Sequence, residues 1–372
     1  MAEWFKAPVL KTGRGFRSLV GSNPTLSATG RLRMFVDTYR FSMEPQRIAA
    51  LRRSVLSSLA HGVRHPGDAR LYVSNWRELI AGYAAFDDAE SRRMFRALLT
   101  YRACPRLSPV TRNTPLSDAL NAFMRADYPH APLADAVSAL GEPVARYRVT
   151  YNELPFEIAT IKYGLYWTLV SQQYYFRRGG VYVGPSPGDT ILDCGSCLGD
   201  TAVKFAAHAG PAGRVYSFDP FPPHASIARD VVARNGLEDR IKVFCCGLSD
   251  ETKPDIHAAL SDPATGAANA VGPGRPLGSA DPMVRIDDFC RAENIDRVDY
   301  IKMDIEGSEQ AARDGACDTI ARHRPKHAVC LYHKPADLWS IPATLKRRYP
   351  FYRLYLGHYS LHNEETVLYA VA

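Results

Sequence analysis

Five short apolar runs, TILDCGS, RVYSFDP, IKVFCCGLS, VDYIKMDIE and HAVCLYHK, follow one another between residues 190 and 334, and each ends in turn or polar residues. Helix-forming stretches separate them: GDTAVKFAAHA, HASIARDVVARNG, then RIDDFCRAEN after a Gly/Pro-rich loop at 263–282, and SEQAARDGACDTIARHR. Strands apolar along their whole length, alternating with helices, build a parallel sheet covered on both faces. The end of the chain breaks that rhythm. FYRLYLGHYS and ETVLYAVA are separated only by LHNE, a link so short that it can join two strands only antiparallel. The expected fold is α/β: a doubly wound sheet with a C-terminal antiparallel strand hairpin, preceded by a helical N-terminal region.

In an open sheet of this kind, ligands bind beyond the carboxyl ends of the strands, so the turn after the first run, ILDCGSCLGDT, is the candidate cradle. Gly195 allows a tight turn and close backbone approach, and Gly199 allows the next helix to pack closely. The spacing is G-x-x-x-G. It lacks the third glycine of a dinucleotide fingerprint and the Lys-Ser/Thr of a phosphate loop, and no basic residue stands between 193 and 203. The acids Asp193 and Asp200 stand there instead, which suits a cationic cofactor better than a pyrophosphate. The turn residues Asp193, Cys194, Gly195, Ser196, Gly199 and Asp200 are the first candidate contacts. Asp219, with Pro220 after it, ends the second strand, where a carboxylate can bind vicinal ribose hydroxyls or cap the following helix. Gly247 and Leu248, after the third run, offer backbone and apolar groups to an adenine slot.

Cys194 and Cys197 also form a C-x-x-C pair. Structural zinc needs four ligands, and no second pair completes the set. A redox pair has its thiol acidity raised by nearby cations, whereas two aspartates flank this one. The cysteines therefore read as packing residues. On the fourth run, YIKMDIE should bring Asp304 and Glu306 to the sheet edge, and His333 ends the fifth run, where it could serve as general base toward a hydroxyl, with Glu306 second. Asp304, Glu306 and His333 could also hold a divalent metal, but no metal is predicted.

The rest of the chain carries less chemistry. Lys6, Lys11, Arg14, Arg17, Arg31 and Arg33 against Glu3 give the first 33 residues a charge of +5 out of a total of +7. The near-neutral remainder offers no footprint for nucleic acid. Residues 1–33 resemble the translation of a transfer-RNA gene and are expected to be a non-native or disordered leader, with Met34 or Met43 as the native start. Residues 34–145 read as a helical accessory region. Ile48, Leu51, Val55 and Leu59 make one apolar stripe and Trp76, Leu79, Ile80 and Tyr83 a second, while Asp88 caps a helix carrying Met94, Phe95, Leu98 and Leu99. RYRVTYNELPFEIAT opens residues 146–372 as a hairpin around Asn152–Pro155. No apolar run is long enough to span a membrane, and eight cysteines spread over the chain are expected to be reduced thiols, which places the protein in the cytoplasm.

ILDCGSCLGD, VYSFDP, VRIDDFC, VDYIKMDIEGSE, RPKHAVCLYHKPADLWSIP and HYSLHNEETVLYA, in that order, resemble the FkbM family of S-adenosylmethionine (SAM) methyltransferases over about residues 165–372. The D-x-E-G-x-E box at Asp304, Glu306 and Glu309 and the terminal ETVLYA carry the likeness. It implies the class I methyltransferase (Rossmann-like) fold, with SAM as cofactor and methyl transfer to an oxygen of a sugar, polyketide or other natural product. By the same likeness Asp193, Gly195, Gly199 and Asp219 hold the cofactor, and Asp304 and Glu306 face the reacting centre. The turn departs from the family's D-x-G-A-N-x-G-D at Ser196, which keeps a hydroxyl, and at Cys197. The expected partner is a small-molecule or saccharide acceptor, with room for a homo-oligomer. A nicotinamide oxidoreductase and a non-catalytic SAM- or carbohydrate-binding module are the alternatives.

Overall fold

The computed structural model describes residues 71–103, 115–137, 143–256, 260, 282–360 and 364–372. The expected leader, the Ile48–Leu59 stripe and the loop from 263 to 281 lie outside them. The chain folds as two units. A sheet unit holds residues 124–175 and 182–329, and a helical unit holds 176–181, 330–372 and the described residues up to 123. This division does not follow the boundary expected at 145/146.

In the helical unit, α1 spans Trp76–Ala85, α2 Ala89–Ala103 and α3 Pro115–Arg125, the last starting on a proline whose fixed φ suits a first turn. Asp88 caps α2, its Oδ1 accepting the Ser91 N–H at 2.6 Å, and Met94, Phe95 and Leu98 are buried. The stripe expected to be the core face of α1 is not. Trp76 and Ile80 are 54% and 58% exposed, while Gly82 and Ala85 are buried. A Cβ on Gly82 would lie 2.7 Å from the Trp339 backbone, so α1 packs through its smallest residues at a distance no larger side chain there would permit.

In the sheet unit, the helical pattern expected to run to Ala145 stops at Arg125. Residues His130–Val137 form β1, drawn into a sheet by antiparallel pairing with β2 (Pro143–Tyr151), which in turn pairs with β3 (Leu154–Thr160). The expected hairpin is there with a tighter turn: Asn152 and Glu153 alone form it, both at positive φ, as a two-residue hairpin turn requires. The next helix is short, α4 (Lys162–Tyr166), and runs into a π-helical turn at Trp167–Ser171 that ends on Gln172 at φ 52°.

The parallel core follows: β4 (Thr190–Cys194), α5 (Asp200–Ala209), β5 (Arg214–Phe218), α6 (Pro222–Arg234), β6 (Ile241–Phe244), the short β7 (Gly247–Leu248) and β8 (Met283–Val284), α7 (Ile286–Ala292), β9 (Tyr300–Met303), α8 (Glu309–Asp314), α9 (Cys317–His323) and β10 (Lys326–Cys330). Strand pairing gives the order β10-β9-β4-β5-β6, all parallel, so strand order reverses between β4 and β9. The third run does not stay one strand. β6 stops at Phe244 and β7 pairs with β8, leaving Cys245 and Cys246 both buried in the break. The helix expected over 308–324 is two, parted at Gly315, which passes so close to Ser249 that a Cβ would fall 2.1 Å from its carbonyl oxygen. Asn235 ties the small sheet to the end of α6. Its Oδ1 accepts the Glu157 N–H at 2.8 Å and its Nδ2 donates to the Glu157 carbonyl at 2.7 Å.

The helical unit resumes with α10 (Asp337–Arg348) and the expected antiparallel hairpin of β11 (Arg353–His358) and β12 (Thr366–Val371). The N-terminal helices are bonded to that hairpin. Asp87 and Leu354 exchange two hydrogen bonds, at 2.9 and 2.7 Å, and Ser91 Oγ accepts the Leu356 N–H at 2.8 Å. Arg178 donates to Asp88, Ser91 and the Leu356 carbonyl, each at 3.0 Å. Among the described residues no helix is long and apolar enough to cross a membrane.

Candidate cofactor and active site

The crevice of this sheet opens where β4 and β9 part, and the residues after both strands meet there. Asp304, directly after β9, donates its N–H to the Cys194 carbonyl at 3.0 Å. Gly195 stands at φ 79°, and a Cβ on it would come within 1.7 Å of the Asp304 carbonyl oxygen. Only glycine fits. The N–H groups of Gly195 and Ser196 both donate to the Phe218 carbonyl, at 2.9 and 3.0 Å. Gly199, at φ 84°, opens α5, and a Cβ there would touch Ala228 Cβ at 3.0 Å, which is the close helix packing expected of it. Ser196 is buried, and its hydroxyl has no hydrogen-bond partner among the described residues.

Asp219, at the end of β5, reaches back to this turn. Its Oδ2 accepts the Cys197 N–H at 2.9 Å, while its Oδ1 accepts the Phe221 N–H at 2.9 Å and lies 3.4 Å from His224 Nδ1. Its bond to Phe221 orders the entry of α6, so the capping half of its expected double role is visible. Two carboxylate oxygens carry about four lone-pair sites, which leaves room for ribose hydroxyls. Pro220 is half-buried beside it, and Gly247 and Leu248 are buried in β7.

The two acids of the turn face inward, not toward a ligand. Asp193, fully buried, accepts from Thr201 Oγ1 at 2.7 Å and stands 3.4 Å from Lys302 Nζ, its register partner on β9. Burial pushes its carboxyl up, and Lys302 opposes that. Lys302 in turn donates to the carbonyls of Cys194 (3.2 Å) and Gly195, so the ion pair props the glycine turn from below. Asp200 accepts from Thr168 Oγ1 at 2.7 Å and Thr160 Oγ1 at 3.3 Å. The acidic character that the sequence suggests for the turn is consumed within the protein. Cys194 is fully buried, which pushes its thiol well above the usual range; Cys197 is exposed rather than packed, and no described cysteine is in a disulfide.

β9 ends one residue before Asp304, so Glu306 is not carried to the sheet edge. It stands exposed in the following turn at φ 54°. Glu309, at the start of α8, is the buried acid instead; its Oε1 accepts the Ile305 N–H at 3.0 Å, and it offers an oxygen within 4.8 Å of one from Asp304. Asp304 Oδ2 also accepts the Tyr174 hydroxyl at 2.7 Å. His333 belongs to the helical unit, half-buried, its ring 4.2 Å from that of Tyr332.

Residues 193–358 match the family described as the methyltransferase FkbM domain. The chain is similar to the crystal structure of a methyltransferase FkbM from Methylobacillus flagellatus KT at 20% identity and a TM-score of 0.50, covering 80% of this chain and 59% of that one. That identity shows the fold, and the chain spans 59% of that relative's length. An O-methyltransferase from Bacillus cereus in complex with SAH is 16% identical (56% of this chain, 79% of that, TM-score 0.31), and the fibrillarin of Aeropyrum pernix in complex with S-adenosyl-L-methionine is 15% identical (65% and 98%, TM-score 0.34). No curated protein matches the sequence.

The matched residues include the glycine turn, Asp219, Asp304 and Glu309. Two neighbours of that site went unread in the sequence. Lys302 had a signal, a lone cation inside a run that must be buried and so must have a partner. Tyr174 had none, and it lies outside the matched residues.

Proposed function

We propose that the protein is a SAM-dependent methyltransferase acting on a hydroxyl oxygen of a sugar, polyketide or other natural product, in a reducing compartment such as the cytoplasm. The observation that carries this reading is the turn after β4: the Gly195 backbone, packed so close to the Asp304 carbonyl that no side chain fits, with the Asp219 carboxylate and the Ser196 hydroxyl, unpartnered among the described residues, around it. These groups fit SAM. Asp219 would take the ribose hydroxyls, the turn's backbone and Ser196 the polar part of the amino acid moiety, and Gly247 and Leu248 the adenine edge. Bound SAM supplies an electrophilic methyl on a sulfonium. The chain's own part is to hold donor and acceptor in line, which can account for much of the rate in such a transfer, and to keep the Asp304 carboxylate beside the reacting centre. His333 is the candidate base toward the acceptor hydroxyl, on the strength of its position after the fifth run.

Calorimetric titration of SAM and S-adenosylhomocysteine (SAH) into the full chain tests the reading, with Asp219→Ala as control. Micromolar binding, lost at least tenfold in the control, is expected; a folded wild type that binds neither ligand overturns it. Once an acceptor is found, His333→Ala should keep SAM binding and lose most turnover. Unchanged turnover removes His333 from that role.

A further inference from the structure

Asp304 sits in a turn whose backbone is fixed by Cys194, but a short acidic side chain at such a place has several rotamers open to it. Tyr174 restricts it. Tyr174 Oη donates its single proton to Asp304 Oδ2 at 2.7 Å, and Gln173 Nε2 donates to Tyr174 Oη at 2.7 Å. The donors therefore run in one direction, amide to phenol to carboxylate, and each bond polarises the next. Tyr174 is itself held on several sides. Its carbonyl accepts the Tyr300 hydroxyl at 2.8 Å, its ring meets the edge of Phe205, and Lys302 Nζ stands 5.1 Å from the ring centroid. Gln173 and Tyr174 reach this position because the helix before them ends in a π-helical turn and a left-handed Gln172. Single π-helical turns are frequent at functional sites.

We propose that Tyr174, backed by Gln173, is a positioning residue that aims the Asp304 carboxylate at the cofactor's sulfonium. The inference rests on the methyltransferase reading and extends that site to a segment ahead of the FkbM domain. Charge gives the readout. SAM carries a sulfonium cation and SAH a neutral thioether, so an aimed carboxylate favours SAM over SAH while the rest of the site treats them alike.

The experiment measures Kd for SAM and for SAH by calorimetry on the full chain, for wild type, Tyr174→Phe, Asp304→Asn and the double variant. Asp304→Asn should lower the preference for SAM about tenfold, the scale of one charge-assisted contact. Tyr174→Phe should lower it several-fold with SAH affinity within about threefold of wild type, and the double variant should be no worse than Asp304→Asn alone. Equal losses for SAM and SAH, or additive losses in the double variant, assign Tyr174 a purely structural role and overturn the proposal. If Tyr174→Phe does not fold, Gln173→Leu replaces it: a smaller loss of SAM preference in the same direction is expected, and none overturns the inference. A wild type that binds neither ligand instead defeats the methyltransferase reading itself.

Discussion

At Gly195 two costs of a side chain can be separated. Alanine there would have to hold φ 79° and push its Cβ into the Asp304 carbonyl. At Gly210, with φ 68° and nothing within 4 Å of a Cβ, only the conformational cost applies. Gly210→Ala should therefore cost about 1 kcal/mol. Gly195→Ala should cost about 3 kcal/mol or more and abolish SAM binding, because strain and collision add. Chemical denaturation of both variants with calorimetry on the second checks this; similar losses at the two sites would mean the turn yields easily. Gly195, Gly199 and Asp219 were legible because their work is backbone geometry and strand-end placement, which spacing encodes. The fates of Asp193 and Asp200 were not. Asp193 meets Lys302 through the register of a distant strand, and Asp200 meets two threonines 32 and 40 residues before it, neither of which the letters of the turn carry.

Among the elements, β4, β5, β9 and β10 were readable from their mainly apolar runs, and most of the helices between them as helix-forming stretches. The misses share a cause. β1 has a mixed pattern and exists by pairing with β2, and α1 buries glycine and alanine in place of its large apolar residues because α10 comes too close for them. Arg178 joins elements that are far apart in sequence: α2, its capping Asp88 and β11 all bond to one guanidinium. Arg178→Ala should cost about 3 kcal/mol by urea denaturation, since it leaves a carboxylate and a strand carbonyl without their charged donor. Arg178→Lys should recover little of this, because an ammonium cannot span the same fork. Full recovery by lysine would reduce the site to simple charge pairing.

For the molecule as a whole, stability should vary with pH through buried Lys204. Burial pushes its ammonium down to about 7 from an ordinary 10.5, with Asp200 opposing. Between those two values the unfolded chain holds a proton that the folded chain has released, so stability from this group rises with pH across that window, and below it the full burial penalty applies. Lys204→Met should be more stable than wild type near pH 6, and the gap should narrow by pH 9 in melting or urea midpoints; a gap that does not change with pH would show Lys204 is not the cause. The helical unit has a further consequence, one of timing. Asp87 and Ser91 leave the ribosome 267 and 265 residues ahead of Leu354 and Leu356, the strand residues that bond them. At ordinary translation speeds that interval is on the order of tens of seconds. For that time a nascent chain leaves the ribosome with α1 and α2 made and their strand partners unmade, a state in which chaperones, not the native contacts, must shield their apolar faces.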